Sequence, residues 1–185
     1  MKYKLIYNIS KISLFVTALI FGPITNVSAE QPATMSDGAI IAIYNQVNTF
    51  DIETAGLAIA HAKNSRVVGL AKMVQKDHTA VRQLAADLAI KLGEARTLPS
   101  SRAQATSQHA KVLTFLNSKN GARFDKAYLQ HEIKFHTAAI SAVNTVLIPA
   151  TKSTELRELM KKILPGFEHH LAETKKIYKE LGYYQ

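Results

Sequence analysis

Asp125, Glu132 and His136 lie within or at the end of the run FDKAYLQHEIKFH, seven and four residues apart. On a helical wheel with Phe124 at zero and about 100° per residue, they fall near 100°, 80° and 120°. That is the middle of a half-circle otherwise filled by apolar side chains, among them Phe124, Leu129, Phe135, Ala139 and Val143. Lys126, Gln130, His131 and Lys134 take the opposite half and read as solvated. A lone buried carboxylate is costly unless it is protonated, paired or bound to a metal. A helix that aims two acids and an imidazole at its core therefore needs partners on the helices it faces.

The other apolar stretches offer such partners. Asp77 and His78 sit on the two shoulders of the stripe formed by Val67, Leu70, Val74, Val81 and Leu88. His170 falls inside the stripe of the last helix, whereas His169 faces out. Glu53 stands beside Gly56 and Ala60, small residues that leave room for an inward carboxylate. His61 and His109 carry no such signature and read as surface histidines. A turn at Asn64-Ser65 sets Glu53 opposite Lys76-Asp77, and a turn near Thr151 sets Glu132 opposite His170. At 1.5 Å per residue those levels lie about 18 and 28 Å from one end of a bundle.

Glu53, Asp77, His78, Asp125, Glu132, His136 and His170 form the candidate metal-ligand set, since carboxylate oxygen and imidazole nitrogen suit iron, manganese or zinc. In carboxylate-bridged di-metal bundles the signature is Glu-x-x-His on two helices. It is absent here: Asp77 and His78 are adjacent, and Glu132 and His136 are four apart. Two other readings stay open at this level. One is a buried network in which these groups and Tyr128 satisfy one another and fix helix register. The other is a pocket for a small ligand or a partner. Nothing marks an open substrate site, so no catalytic residue is assigned.

The elements that would position these groups are all helical. Ser36-Asp37 caps a first helix through Val47, with Asn48-Thr49 expected to interrupt it before a second stretch from Asp51 to Ala62. A long helix follows from Ser65 to Leu92, closed by Gly93. Residues 93–107 read as a polar connection, followed by a short helix over Gln108 to Ser118. The helix of Asp125 and His136 runs to about Leu147, where Pro149 ends it. Ser153 caps the last helix, in which Pro165-Gly166 should introduce a kink. No alternating strand pattern occurs. The expected fold is all-α, an up-down-up-down four-helix bundle with a longer connection between its second and third helices.

Composition narrows the class further. Lys2, Lys4 and Lys11 precede the apolar stretch Ile12 to Gly22, too short to span a bilayer, and Val27-Ser28-Ala29 is a small-residue cleavage site. Residues 1–29 thus read as a Sec-type signal peptide cut after Ala29, leaving a single domain over 30–185, its bundle core at about 36–182, in the periplasm or secreted. The formal charge of +9 falls by three with the leader. The remaining basic residues are scattered at helical spacing, which argues against nucleic acid as a partner. No later stretch is long and apolar enough to be a transmembrane segment. The chain has no cysteine, so helix packing alone must hold the fold.

The strings SDGAIIAIYNQVNTFDIETAGLAIAHAKNSRVVGLAKMVQKDH, FDKAYLQHEIKFH and PGFEHHLAETKKI resemble a family of exported bacterial helical proteins, the domain of unknown function DUF4142. Its members often carry the label outer-membrane or ferritin-like protein. The resemblance spans Met35 to Tyr178, and its most specific pieces fall on Asp77, His78, Phe124, Asp125, Tyr128, His136, His170 and Leu171, with the acid of the first helix at Glu53. Where this chain has Glu132, the family more usually has glutamine. The resemblance implies a ferritin-like bundle in the bacterial periplasm and supplies no established activity. The outer-membrane label does not match a sequence without a barrel pattern. The expectation is a periplasmic bundle that binds a transition metal in envelope stress or metal handling; the competing class is a non-enzymatic interaction or structural module.

Overall fold

The computed structural model describes residues 35–183; the expected signal peptide lies outside the described residues. Five helices account for most of the chain: α1 Asp37–His61, α2 Ser65–Leu92, α3 Ala103–Asn117, α4 Gly121–Ala142 and α5 Thr154–Glu180. Among the described residues there is no strand, and no helix is long and apolar enough to cross a membrane.

Local chemistry explains most of the ends. Ser36 accepts from the Ala39 N–H and Ser153 from the Leu156 N–H, each satisfying a donor that the first helical turn leaves free. Gly93 closes α2 in the left-handed region at φ 67°, where only glycine enters without strain. Gly38 is required for a different reason: a Cβ there would meet the Ala95 carbonyl oxygen at 2.2 Å, so the start of α1 can lie against the chain leaving α2.

Three expected boundaries move. α1 does not break at Asn48-Thr49, because both side chains donate back to carbonyls one turn earlier, Asn48 to Tyr44 at 2.7 Å and Thr49 to Asn45 at 2.9 Å. α3 begins at Ala103 rather than Gln108, after a 3-10 turn over Ser100–Arg102. α4 widens into a π turn over Val143–Leu147 and closes with Ile148–Ala150; Pro149 has no N–H for the Thr145 carbonyl and cannot extend the regular ladder. α5, by contrast, continues unbroken through Pro165, on its exposed side.

Each helix reverses the direction of the one before it. The start of α4 meets the end of α1 through Asp125, and the start of α1 meets the turn between α4 and α5 through Asp37. α3 runs alongside α1, with Arg102 on Gln46 and His109 on Glu53. It lies outside the four long helices and takes up one reversal. α1, α2, α4 and α5 consequently run up, down, down, up, each antiparallel to the helices packed on it. The all-α four-helix bundle with a long second connection is thus what forms, α3 turning the expected up-down-up-down order of the four long helices into up-down-down-up.

The apolar core is in two halves. One joins Ala55, Ala58, Leu70, Val74, Phe124, Tyr128 and Ile177; the other joins Ile40, Tyr44, Val81, Val143, Met160 and Phe167. Between them every long helix changes from apolar to polar at the same level, with Asp51, His78, Glu132, His136 and His170 all at most 2% exposed.

Candidate metal centre

The middle layer is built from one or two residues of each long helix. Phe167 stacks on His78 with ring centroids 4.8 Å apart and planes 8° from parallel, which fixes that imidazole. The rings of His78, His136 and His170 stand 5.3, 5.4 and 5.5 Å from one another, a nearly equilateral triangle. Asp51 lies against it, with Oδ2 2.9 Å from His78 Nε2 and 3.4 Å from His136 Nε2. Glu132, one turn before His136 on α4, brings Oε2 within 3.4 Å of His136 Nδ1.

Each histidine is held by one ring nitrogen from outside the triangle. The Asn48 amide, oriented by its bond to the Tyr44 carbonyl, offers Oδ1 to His78 Nδ1 at 2.9 Å. The backbone carbonyl of Glu132 lies 3.3 Å from His136 Nδ1. Asp77 accepts from His170 Nε2 at 3.0 Å. These acceptors place a proton on the outer nitrogen of each ring, so in the neutral imidazole the inner nitrogen carries a lone pair. Those inner atoms, His78 Nε2, His136 Nε2 and His170 Nδ1, are all buried without a hydrogen-bond partner, as are both oxygens of Asp51 and Glu132 Oε2. His78 Nε2 is close to Asp51 but out of line for a hydrogen bond.

Lone pairs and a carboxylate converging in a dry interior require positive charge among them. Without an ion, charge on the imidazoles themselves would have to supply it: burial alone would raise the Asp51 carboxyl, and His78 and His136 as positive charges outweigh burial and hold it below the usual carboxylate range. Burial, then the Asp51 charge, pushes Glu132 well above its ordinary value. Burial lowers His170 to about 4 despite its bond to Asp77. The donor set fits a divalent transition ion: His78, His136 and His170 can offer ligand atoms within 4.8 Å of one another, and so can Asp51, Glu132 and His136. Nitrogen and oxygen atoms bound at about 2.0–2.2 Å to one ion stand roughly 3–3.4 Å apart, the spacing of Asp51 Oδ2 from the two imidazoles.

The residues singled out in the sequence divide into three groups. His78, Glu132, His136 and His170 meet in this layer, and Asp77 touches it from outside through His170. Glu53 does not: it projects from the far side of α1, about half exposed, and lies 2.6 Å from His109 Nε2. Asp125 is buried but belongs to the end of the bundle, where it accepts from the Lys63 and Asn64 N–H groups at 2.9 and 3.0 Å. Tyr128 packs in one apolar half with its hydroxyl buried and unpartnered. Two histidines also differ from expectation. His109 is buried, and His131, half-buried as a whole, has its Nε2 fully inside the protein.

Asp51 and Asn48 are the residues that sequence reasoning missed. The signal was present: the register set by the Asn64-Ser65 turn pairs His78 with Asp51. It was obscured by treating Asn48-Thr49 as a break, which uncouples Asp51 from the phase of Tyr44.

A family described as "Domain of unknown function (DUF4142)" matches residues 23–177. No curated protein matches the chain. Among solved structures it is similar to the crystal structure of a DUF305 fragment from Deinococcus radiodurans, at 14% identity and a TM-score of 0.69, over 80% of this chain and 99% of that one. At that identity the likeness concerns the fold alone.

Proposed function

The chain belongs to the DUF4142 family, and from that premise we propose that it is a metal-binding bundle holding one divalent transition ion, iron, manganese or zinc, in its middle layer. His78 Nε2, His136 Nε2, His170 Nδ1 and the Asp51 carboxylate are the ligands, with Glu132 beside them. Asn48 and Asp77 orient His78 and His170, the outer hydrogen bonds that ligand histidines require. The observation that carries this reading is that three imidazole nitrogens without a hydrogen-bond partner face one another, two of them beside the Asp51 carboxylate, which also accepts no hydrogen bond. A closed structural network would have hydrogen-bonded them. Because every ligand is at most 2% exposed, the site suits retention of an ion rather than turnover of a substrate. With the leader read at residues 1–29, the protein acts in the periplasm, in metal handling or envelope stress.

Elemental analysis of untagged protein purified from its own cells tests this directly. Close to one equivalent of iron, manganese or zinc is expected, together with a melting temperature that chelator lowers and the same metal restores. Protein without bound metal, whose melting is indifferent to all three ions and to chelator, would overturn the reading in favour of a purely structural polar layer.

A further inference from the structure

A centre so deeply buried needs a way in for its ion. On either side of the centre the long helices pack through the two apolar halves of the core. At the seam between α1 and α4 a further element is present, because α3 packs on both. α3 is fastened there by polar contacts, Arg102 Nε to Gln46 Oε1 at 2.8 Å, Gln46 Nε2 to Thr106 Oγ1 at 3.0 Å, and His109 to Glu53 at 2.6 Å. Beneath it is a small, partly open cavity of about 20 Å³ bounded by Val47, Phe50, Val112 and Phe135 and by two histidines, His109 and His131.

Those histidines come from different helices, α3 and α4, and have different surroundings. His109, stacked on Phe50 at 4.1 Å, leads outward to Glu53, whose side chain is 47% exposed. His131 is on α4, next in sequence to Glu132 of the middle layer, and its buried Nε2 has no hydrogen-bond partner. An exposed carboxylate, an imidazole, a cavity with room for roughly one water and a second imidazole thus follow one another toward the centre. Their donor chemistry matches that of the centre itself.

We infer that Glu53, His109 and His131 form a loading route, a set of transient cation sites that passes a divalent metal ion from solvent, under α3, to the centre. The inference rests on the metal-binding reading above. Residues that hold the ion only in transit stabilise the passage and not the destination. Their loss slows loading and release by the same factor and leaves the equilibrium affinity unchanged.

The test follows cobalt(II) as the probe ion, mixed rapidly with chelator-stripped protein and read by its visible absorption on binding; release is followed by adding excess chelator. His131→Leu should slow uptake and release together by about tenfold or more, the change expected when about 1.4 kcal/mol of stabilisation is lost from the rate-limiting passage. Glu53→Gln, at an exposed position that does not threaten folding, should slow uptake a few-fold at low salt, with the difference fading as salt rises. His169→Gln is the control, expected to behave as wild type. Uptake at the wild-type rate in both His131→Leu and Glu53→Gln overturns the route while leaving the centre intact. Loss of cobalt affinity in His131→Leu also overturns it, since His131 would then be a ligand. A wild type that takes up no cobalt at equilibrium refutes the metal-binding reading itself.

Discussion

Among the described residues four acidic side chains are buried, and they occupy two kinds of place. Asp37 and Asp125 sit at opposite ends of the bundle, each in the first turns of a helix, and each grips two backbone N–H groups of a turn on the far side. Asp37 accepts from Lys152 and Ser153 at 2.9 and 2.7 Å, and Asp125 from Lys63 and Asn64 at 2.9 and 3.0 Å. Asp51 and Glu132 sit midway along their helices, where every backbone N–H is already taken by the helical ladder. Their neighbours are imidazoles that present lone pairs. The same residue type is thus a finished clamp at the ends and an open set of donors in the middle. Burial of an acid is therefore a poor guide to its role; what decides is whether donors face it.

The clamps should matter most and be blind to metal. Asp125→Ala or Asp37→Ala leaves two part-buried N–H groups without their charged acceptor, a loss of about 3 kcal/mol at about 1.5 kcal/mol for each charge-assisted hydrogen bond. Urea unfolding with and without metal should show the same loss in both. If chelator alone changed the cost, the contrast between ends and middle would fail.

The middle layer should show the reverse pattern. At a hundredfold excess of ion over Kd, wild type should gain roughly 2.7 kcal/mol, seen as a rise of several degrees in melting temperature. Asp51→Asn, His78→Ala and His136→Ala should each remove that gain, and Asp125→Asn should keep it. A gain that survives Asp51→Asn would put the ion outside this layer.

Acid sharpens the comparison on metal-free protein. His131 and His170 have their ordinary values lowered to about 4 by burial. The unfolded chain therefore holds two more protons than the native one between pH 4 and 6.5, and that stability is lost as pH falls. Glu132 is raised well above its usual value, so the native chain holds one extra proton there, with the opposite sign. The two histidines set the larger effect and Glu132 offsets part of it, so stability should fall with pH between pH 6.5 and 4.5, by less than the roughly 2.7 kcal/mol per pH unit that two protons would give. His170→Gln should flatten that slope and Glu132→Gln should steepen it, as measured by denaturant unfolding across that range. Parallel slopes in all three proteins would contradict these assignments.

The smallest effects belong to the surface. His169→Gln should change stability by no more than about 0.5 kcal/mol, and the exposed Glu53→Gln should be similarly mild. A loss of several kcal/mol at Glu53 would mean that its contact with His109, rather than those of Arg102 and Gln46, carries most of the attachment of α3.

Much of this was legible from spacing alone. The apolar stripes and caps gave the helices, and the wheel correctly aimed Glu132, His136 and His170 inward. What failed was the choice between residues that share a direction. Asp125 and Glu132 fall within about 20° on the wheel, yet one caps a turn and the other faces imidazoles, because the wheel reports direction and not height. Glu53 was placed inward because Gly56 and Ala60 leave room beside it and because α1 was divided at Asn48-Thr49. On a continuous helix it lies about 180° from Tyr44, and Asp51 takes its place.

Periodicity and capping are local properties, set by backbone geometry within a few residues, and so the sequence by itself determined that this protein is an all-helical bundle with polar groups in its core. Which polar groups meet depends on the axial register of four helices and on the path of α3, both set by turn geometry and side-chain packing between distant segments. Only the tertiary structure decided that Asn48 and Asp77 hold the histidines by their outer nitrogens. That arrangement leaves the inner ones facing one another beside Asp51, in a layer where the helical ladder has no N–H to spare.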